Sequence, residues 1–145
     1  MKKEIQLEFD AISENEGLAR VVIAAFLTRL DPTLEEINDV KTAVSEAVTN
    51  AIIHGYEGKG GKVVMKASLD ETRLDVDIID HGSGIEDVEK AMQPLYTTRP
   101  QEERSGMGFT FMEAFMDKLE VTSTLGEGTV VHMWKVLEKK KKLVI

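Results

Sequence analysis

Two kinds of periodicity alternate along this chain of 145 residues and predict both strands and helices. Apolar and polar residues alternate over residues 3–10, which is the period of a strand with one buried face. From residue 13 to about Leu30, and again from residue 33 to about His54, apolar residues recur every three or four positions. That spacing predicts two amphipathic helices after the first strand.

Local signals mark where these two helices begin and end. Ser13 with Glu16, and Thr33 with Glu36, have the three-residue spacing of a capping box, so each pair should begin a helix. Pro32 should end the first helix, because a proline disfavours helical backbone in the residue before it. The second helix should turn one apolar stripe toward the core, formed by Leu34, Ile37, Val40, Val44, Ala47, Val48 and Ala51.

The second half of the chain is richer in glycine and in strand patterns. The pattern there predicts a glycine-rich loop at 55–61, followed by strands at 63–69 and 74–78 and a short helix at 86–92. It then predicts a polar loop at 94–105, a helix from about Gly106, and strands at 119–124 and 129–136. The order lacks regular β-α-β alternation, which argues against a doubly wound parallel sheet. We therefore predict an α+β fold, a two-layer α/β sandwich in which a mostly antiparallel mixed sheet carries its helices on one face.

Length and composition fit one domain. We expect residues 1–138 to form it and residues 139–145, with the basic run Lys139–Lys142, to form a solvated tail. The absence of cysteine excludes disulfides and thiolate metal sites and fits a reducing cytosol. We find neither a signal-peptide pattern nor an apolar run near the roughly 20 residues that span a bilayer. The net charge of −8 argues against general nucleic-acid binding. Since the signal peptide and the membrane-spanning run are also missing, we expect a cytoplasmic protein without nucleic-acid or membrane contacts.

Three polar residues of the second predicted helix share one face. Glu46, Asn50 and His54 are four residues apart, and each step of four advances only about 40° around the helix axis. A carboxylate and a carboxamide one turn apart can hold a hydroxyl group and a hard cation such as Mg²⁺. An exposed polar helix face has the same pattern, so the stripe alone leaves both interpretations open.

Two glycine-rich segments could bind parts of a ligand. In the first, Asp80 ends a hydrophobic strand and is followed by Gly82 and Gly84. The backbone there can approach a flat ligand closely while the carboxylate accepts hydrogen bonds from an amine, although a tight turn has the same pattern. In the second, residues 104–109 place glycines at a helix start, where free N–H groups and the helix dipole favour a phosphate.

Taken in order, these motifs resemble those of the GHKL ATPases. The segment SEAVTNAIIHG is similar to their asparagine box, DHGSG to their first glycine box, SGMGF to their second, and residues 126–129 to their late Gly-x-Gly-Thr element. Within that superfamily, the stretch QPLYTTRPQEERSGMGFTFMEAFMD and the chain length resemble the sporulation anti-sigma-F factors of spore-forming bacteria. The resemblance implies the GHKL fold, binding of ATP or ADP with Mg²⁺, and protein-serine kinase activity.

The resemblance also implies roles for individual residues. Glu46 matches the general base, Asn50 the Mg²⁺ ligand, and Asp80 the acceptor for the adenine amine. The other nucleotide-binding positions that it implies are Gly82, Gly84, Thr97, Thr98, Arg104, Ser105, Gly106, Met107, Gly108, Phe109 and Thr129. Within that set, Thr97, Thr98 and Arg104 match an ATP lid. Arg20, on the first helix, matches a position that binds partner proteins.

The function implied by the resemblance is that of an anti-sigma factor. Such a protein would inhibit a sporulation sigma factor in an ATP-dependent manner, phosphorylate a serine of an anti-anti-sigma partner, and form a homodimer. A kinase of the general-stress type and a nucleotide-gated binding module without phosphoryl transfer are the alternatives. A histidine kinase is disfavoured because we expect no helical phosphoacceptor module, and a gyrase-type ATPase because we expect no transducer domain.

Overall fold

A computed structural model of the protein describes residues 2–93 and 108–137. Its elements are, in chain order, β1 (Lys3–Asp10), α1 (Glu14–Leu27) with a 3-10 turn (Thr28–Leu30), α2 (Leu34–Asn50) with a π-helical turn (Ala51–Gly55), β2 (Lys62–Asp70), β3 (Arg73–Asp80), α3 (Val88–Ala91), α4 (Gly108–Phe115), β4 (Lys118–Thr124) and β5 (Gly128–Val136). The strands and helices that the periodicity predicts within these residues are all present. The polar loop at 94–105 and the tail at 139–145 lie outside them, so the division into a domain and a tail stays a prediction.

The five strands form one sheet in the order β1-β2-β3-β5-β4. Asp70 pairs with Arg73 across the β2–β3 hairpin, as the short link between these strands predicts. Because β5 lies beside β3, Thr129 stands directly opposite Asp80. The predicted α+β sandwich is confirmed, and the strand pairings within the described residues are all antiparallel.

The helices cover one face of the sheet, because each strand directs alternate apolar side chains toward them. In β2, Val63 and Met65 are fully buried, whereas Lys62 and Lys66 lie exposed on the opposite face. Helix α2 is central and packs between α1 and α4. None of the helices in the described part of the chain is long and apolar enough to cross a bilayer.

The predicted core stripe of α2 is confirmed along most of its length but is wrong at its first residue. Val40, Val44 and Val48 are fully buried, whereas the side chain of Leu34 is 74% exposed. Leu34 is the first residue of the helix. An apolar period can continue to the end of a helix whether or not another element packs there, so the pattern alone could not show that Leu34 lacks a neighbour in the core.

Both predicted helix starts are confirmed, but the side-chain hydrogen bonds of a capping box form at only one of them. The hydroxyl of Thr33 accepts the N–H of Glu36 at 3.1 Å, and the Glu36 carboxylate accepts the N–H of Thr33 at 2.9 Å. Ser13, at the start of α1, has helical backbone angles and makes no side-chain capping bond. The carboxylate of Glu16 instead accepts a hydrogen bond from Ser45 of α2. A tertiary contact therefore replaces the local one.

This difference predicts unequal effects of two similar substitutions. Thr33→Ala should lower the free energy of unfolding by about 1 kcal/mol, because it removes a capping hydrogen bond. Ser13→Ala, the matched control, should change it by only a few tenths of a kcal/mol, because Ser13 makes no such bond. Urea unfolding of both variants measures the two effects, and equal losses would contradict the assignment of the caps.

Candidate functional site

A cavity of about 990 Å³ lies between α2, α3, α4 and strands β3 and β5. Its volume is near the upper end of the range for small-molecule sites, about 300–1,000 Å³. Predicted site residues from four separate segments line it, namely Asn50, Asp80, Gly84, Gly108, Phe109 and Thr129. The fold therefore brings the separate sequence motifs together around one space.

Helix α4 meets α2 beside the cavity, where Asn50 and Gly108 line it. The predicted site residues Glu46 and Gly82 are not part of the cavity lining. Glu46 and Asn50 lie one turn apart on α2, and the first residue of α4 packs against both. A Cβ atom added to Gly108 would lie 3.2 Å from Oε2 of Glu46 and 3.3 Å from Nδ2 of Asn50. The missing side chain at Gly108 thus lets α4 approach a carboxylate and a carboxamide closely.

His54 stands where the periodicity of α2 changes. After Asn50 the chain forms the π-helical turn Ala51–Gly55, in which the N–H of Tyr56 donates to the carbonyl of Ala51 at 3.0 Å. A π turn contains more residues than an α turn, so His54 is displaced from the stripe that α-helical spacing predicts. It nevertheless lines the same cavity as Asn50.

Asp80 provides a buried carboxylate in this cavity, with an exposed fraction of only 6%. Its Oδ1 accepts the N–H of Gly82 at 2.9 Å, and the backbone N–H of Thr129 also donates to the carboxylate. Burial raises the pKa of the Asp80 carboxyl above its ordinary value of 3.8, and the two backbone N–H groups and the nearby His81 partly oppose this rise. A carboxylate held in this way can accept a charge-assisted hydrogen bond from a ligand.

Three glycines make room around Asp80, and two of them were missed as site residues. A Cβ on Gly55 would lie 2.8 Å from the Asp80 carboxyl group, and one on Gly82 would lie 1.9 Å from the carbonyl oxygen of Gly55. Gly128 has a φ of +120°, and a Cβ there would lie 2.1 Å from the carbonyl oxygen of Asp80. Gly55 and Gly128 belong to the quoted motifs, but their role depends on contacts between distant segments that no local pattern records.

The turn that contains Gly84 is held against the β4–β5 hairpin. Gly84 has a φ of +76°, and a Cβ there would lie 2.3 Å from the carbonyl oxygen of Thr124. The N–H of Ile85 donates to Oγ of Ser123 at 2.7 Å. Ser123 is a further residue that sequence reasoning missed, because a serine in an edge strand has no distinctive pattern.

Tyr56 was also missed, and it supports the other side of the site. Its hydroxyl donates to the carbonyl of Lys62 and accepts the N–H of His81 at 2.8 Å. Gly61 lies against the ring, where a Cβ would come within 2.4 Å of it. Tyr56 therefore ties the glycine-rich loop after α2 to the residue that follows Asp80.

Six predicted site residues lie outside the described residues, and their roles stay predictions: Thr97, Thr98, Arg104, Ser105, Gly106 and Met107. Arg20 lies on the exposed side of α1, where its Nε pairs with Oε1 of Glu16 at 3.1 Å. Arg20 is not part of the cavity lining. Its position is compatible with the prediction that it binds a partner protein and not the nucleotide.

Binding of a metal ion in this cavity would depend on a bound polyphosphate that supplies most of the metal's ligands. Residues 2–93 and 108–137 contain no group of three or more histidine, aspartate or glutamate side chains that could hold a metal. Mg²⁺ bound to a polyphosphate takes most of its ligands from the phosphates and from water. The Asn50 carboxamide in the cavity wall fits such a shared site, because it can supply one uncharged oxygen ligand.

This arrangement is that of a known class of ATPase domain. The family model of the histidine kinase-like ATPase domain matches residues 9–135, so the chain belongs to that family. The fold is similar to a solved structure of the RsbU and RsbW domains of a Mycobacterium tuberculosis protein, with a TM-score of 0.69. The two are 18% identical, and the match covers 99% of this chain and 35% of that one, which shows a shared fold.

Relatives that match over nearly their whole length narrow the class. The Anti-sigma F factor of Thermoanaerobacter sp. strain X514 is 58% identical over 137 residues, which are 94% of this chain and 96% of the relative. The Anti-sigma F factor of Clostridium acetobutylicum is 57% identical over 145 residues, which are 100% of this chain and 98% of the relative. The chain therefore belongs to the anti-sigma F factor family, as its motifs predicted.

The close packing around Asp80 predicts the effect of adding one methyl group. Gly55→Ala should lower the free energy of unfolding by about 1–3 kcal/mol, because the new methyl group overlaps the Asp80 carboxyl group. Gly17→Ala in α1 is the matched control: nothing lies within 4 Å of its added Cβ, so it should raise stability by about 0.5–1 kcal/mol. Urea unfolding measures both. A Gly55→Ala protein as stable as the wild type would show that the site has more room than this.

The raised pKa of Asp80 predicts a pH dependence of folding stability. The stability that this group contributes is fully present below its pKa in the unfolded chain and is lost as pH rises through the higher folded pKa. The free energy of unfolding of the wild type should therefore increase relative to that of Asp80→Asn as the pH falls from about 7 toward about 4. Unfolding curves at a series of pH values give the difference. A difference that stayed constant or shrank would contradict the raised pKa.

Proposed function

We propose that this protein is an anti-sigma factor that binds Mg²⁺–ATP, phosphorylates a serine of an anti-anti-sigma partner and, when bound to ATP, holds a sporulation sigma factor inactive. It acts in the cytoplasm, where sigma factors bind RNA polymerase, and as a homodimer. The close approach of Gly108 to Glu46 and Asn50, at the place where Asn50 and Gly108 line the cavity, carries the proposal for the kinase reaction. The name of these relatives, Anti-sigma F factor, supports the proposal for the sigma factor.

The adenine base binds at the Asp80 end of the cavity. The Asp80 carboxylate accepts a hydrogen bond from the exocyclic amine, and Thr129, opposite Asp80 in the sheet, lines the same part of the cavity. Gly82 and Gly84 let the turn after β3 pack closely against Gly55 and Thr124, and Gly84 lines the cavity where we place the base. Both side chains that recognise the base are held by the sheet, so the base has a fixed site.

The triphosphate extends toward the start of α4. Gly108 and Phe109 line the cavity there, and the N-terminal end of a helix favours anionic groups. The resemblance adds further phosphate-binding residues and a lid that closes over the nucleotide, and these proposed positions are Thr97, Thr98, Arg104, Ser105, Gly106 and Met107. Their N–H groups and the Arg104 guanidinium would offset the negative charge of the phosphates.

Asn50 and Glu46 divide the chemistry between them. Asn50 would hold Mg²⁺ through its carboxamide oxygen, and the ion would supply positive charge to offset that of the polyphosphate. Glu46, one turn earlier on α2, accepts the proton of the substrate serine as its oxygen bonds to the γ-phosphorus. The bond from the γ-phosphorus to the bridging oxygen breaks, and ADP leaves with that oxygen.

The exposed face of α1 is the proposed partner-binding surface. Arg20 lies there with its guanidinium held by Glu16. Leu18 and Val21 are 44% and 66% exposed, and Ile12, just before the helix, is 45% exposed. Protein interfaces are enriched in arginine and have an apolar centre, and this surface combines both features.

Removing the proposed base tests the kinase reaction. Glu46→Gln keeps the shape of the side chain but cannot accept a proton, so transfer of phosphate to the partner serine should fall by about 10²–10⁴-fold. The affinity for ATP, measured by calorimetry, should change little, because the base acts on the serine and not on the nucleotide. Glu35→Gln is the matched control, since Glu35 is exposed in the first turn of α2, at the opposite end of the helix from Asn50.

Three outcomes would contradict parts of this proposal. Full transfer by the Glu46→Gln protein would mean that another group accepts the proton. Loss of ATP affinity together with activity would mean that Glu46 has a structural role. A wild-type protein that binds ATP and the sigma factor but transfers no phosphate would favour the nucleotide-gated binding module.

A further inference from the structure

Ser123 lies at the centre of a small hydrogen-bond network beside the proposed adenine site. It is half-buried in the edge strand β4. Its Oγ accepts the N–H of Ile85 at 2.7 Å, lies 3.1 Å from the carbonyl oxygen of Gly128 and lies 2.8 Å from Oγ1 of Thr129. The proposed nucleotide site uses Thr129 to recognise the adenine base but gives Ser123 no role.

The number of protons in this network fixes the direction of its hydrogen bonds. A serine hydroxyl has one proton and two lone pairs, and a carbonyl oxygen can only accept. When Ser123 donates to Gly128, its lone pairs accept from Ile85 and from the Thr129 hydroxyl, so every group has a partner of the right kind. The reverse order would leave the Gly128 oxygen facing Ser123 Oγ without a proton between them, which is less favourable.

This order leaves the Thr129 hydroxyl with acceptor capacity only. Its proton points to Ser123, and its two lone pairs remain for a ligand or a water molecule in the cavity. Asp80, directly opposite Thr129 in the sheet and equally buried, is an acceptor as well. This part of the cavity therefore presents acceptors, and it fits a ligand edge that carries N–H donors.

We propose that Ser123 is a positioning residue for base specificity: by fixing the direction of the Thr129 hydroxyl, it makes the site prefer a purine with an exocyclic amine over one with a carbonyl oxygen at the same position. This inference rests on the proposed nucleotide site. Without Ser123, the Thr129 hydroxyl is free to turn its proton toward a carbonyl oxygen, and the preference becomes smaller.

The test compares the affinities for ATP and for inosine triphosphate, which carries a carbonyl oxygen where ATP carries the amine. The full chain with Mg²⁺ is titrated with each nucleotide in a calorimeter. The wild type should prefer ATP, and Ser123→Ala should lower the ratio of the two affinities about fivefold, the value of one ordinary hydrogen bond. Ser123→Thr keeps a hydroxyl at this position and should retain most of the preference.

A double-mutant cycle separates this role from a merely structural one. Thr129→Val alone should lower the ratio, because it removes the acceptor. In that background, Ser123→Ala should change the ratio no further, because no hydroxyl remains for it to orient. Thr129→Val also tests the idea should the Ser123→Ala protein fail to fold, since an unchanged ratio in that variant would overturn it.

The remaining outcomes distinguish this inference from the proposed function. Equal losses of affinity for both nucleotides in Ser123→Ala would overturn the specificity role and leave Ser123 as a support for the turn at Ile85. A wild type that binds both nucleotides equally would overturn the inference while the nucleotide site stands. A wild type that binds neither would overturn the proposed nucleotide site and the inference with it.

Discussion

The burial of one carboxylate, that of Asp80, sets the conditions for the rest of the site. A buried charge costs free energy unless hydrogen bonds compensate, and here the N–H groups of Gly82 and Thr129 compensate it in part. Gly82 follows Asp80 in the chain, but Thr129 reaches it only because β5 lies beside β3 in this register. The site therefore requires this order of strands, because it is the pairing of β5 with β3 that brings Thr129 to Asp80.

The same carboxylate also constrains helix α2. Gly55 ends the π-helical turn after α2 and touches the Asp80 carboxyl group, where any larger residue would collide with it. Glu46 and Asn50 lie on the preceding turns of the same helix. Since a helix is stiff, α2 fixes the distance between the part of the cavity proposed to recognise the base and the part proposed to carry the phosphate chemistry.

The sequence predicted those features that depend on neighbours in the chain. Periodicity located the strands and helices, and Thr33 and Glu36 located the start of α2. The ordered motifs singled out Asn50 and Asp80, and both line the cavity. Features that depend on contacts between distant segments were missed, because no local pattern records which segments will meet. The residues missed for this reason are Tyr56, Gly55, Gly128 and Ser123.

Glu16 shows how a tertiary contact can override a correct local pattern. Its spacing from Ser13 is that of a capping box, yet its carboxylate pairs with Arg20 and accepts a hydrogen bond from Ser45. A capping bond at an exposed helix start competes with solvent, whereas a contact between two packed helices also fixes their relative position. The contact between Glu16 and Ser45 also bears on the proposed function, because Ser45 immediately precedes Glu46 on α2. The exposed face of α1, the proposed partner-binding surface, is thus held through Glu16 to the helix that carries the proposed catalytic base.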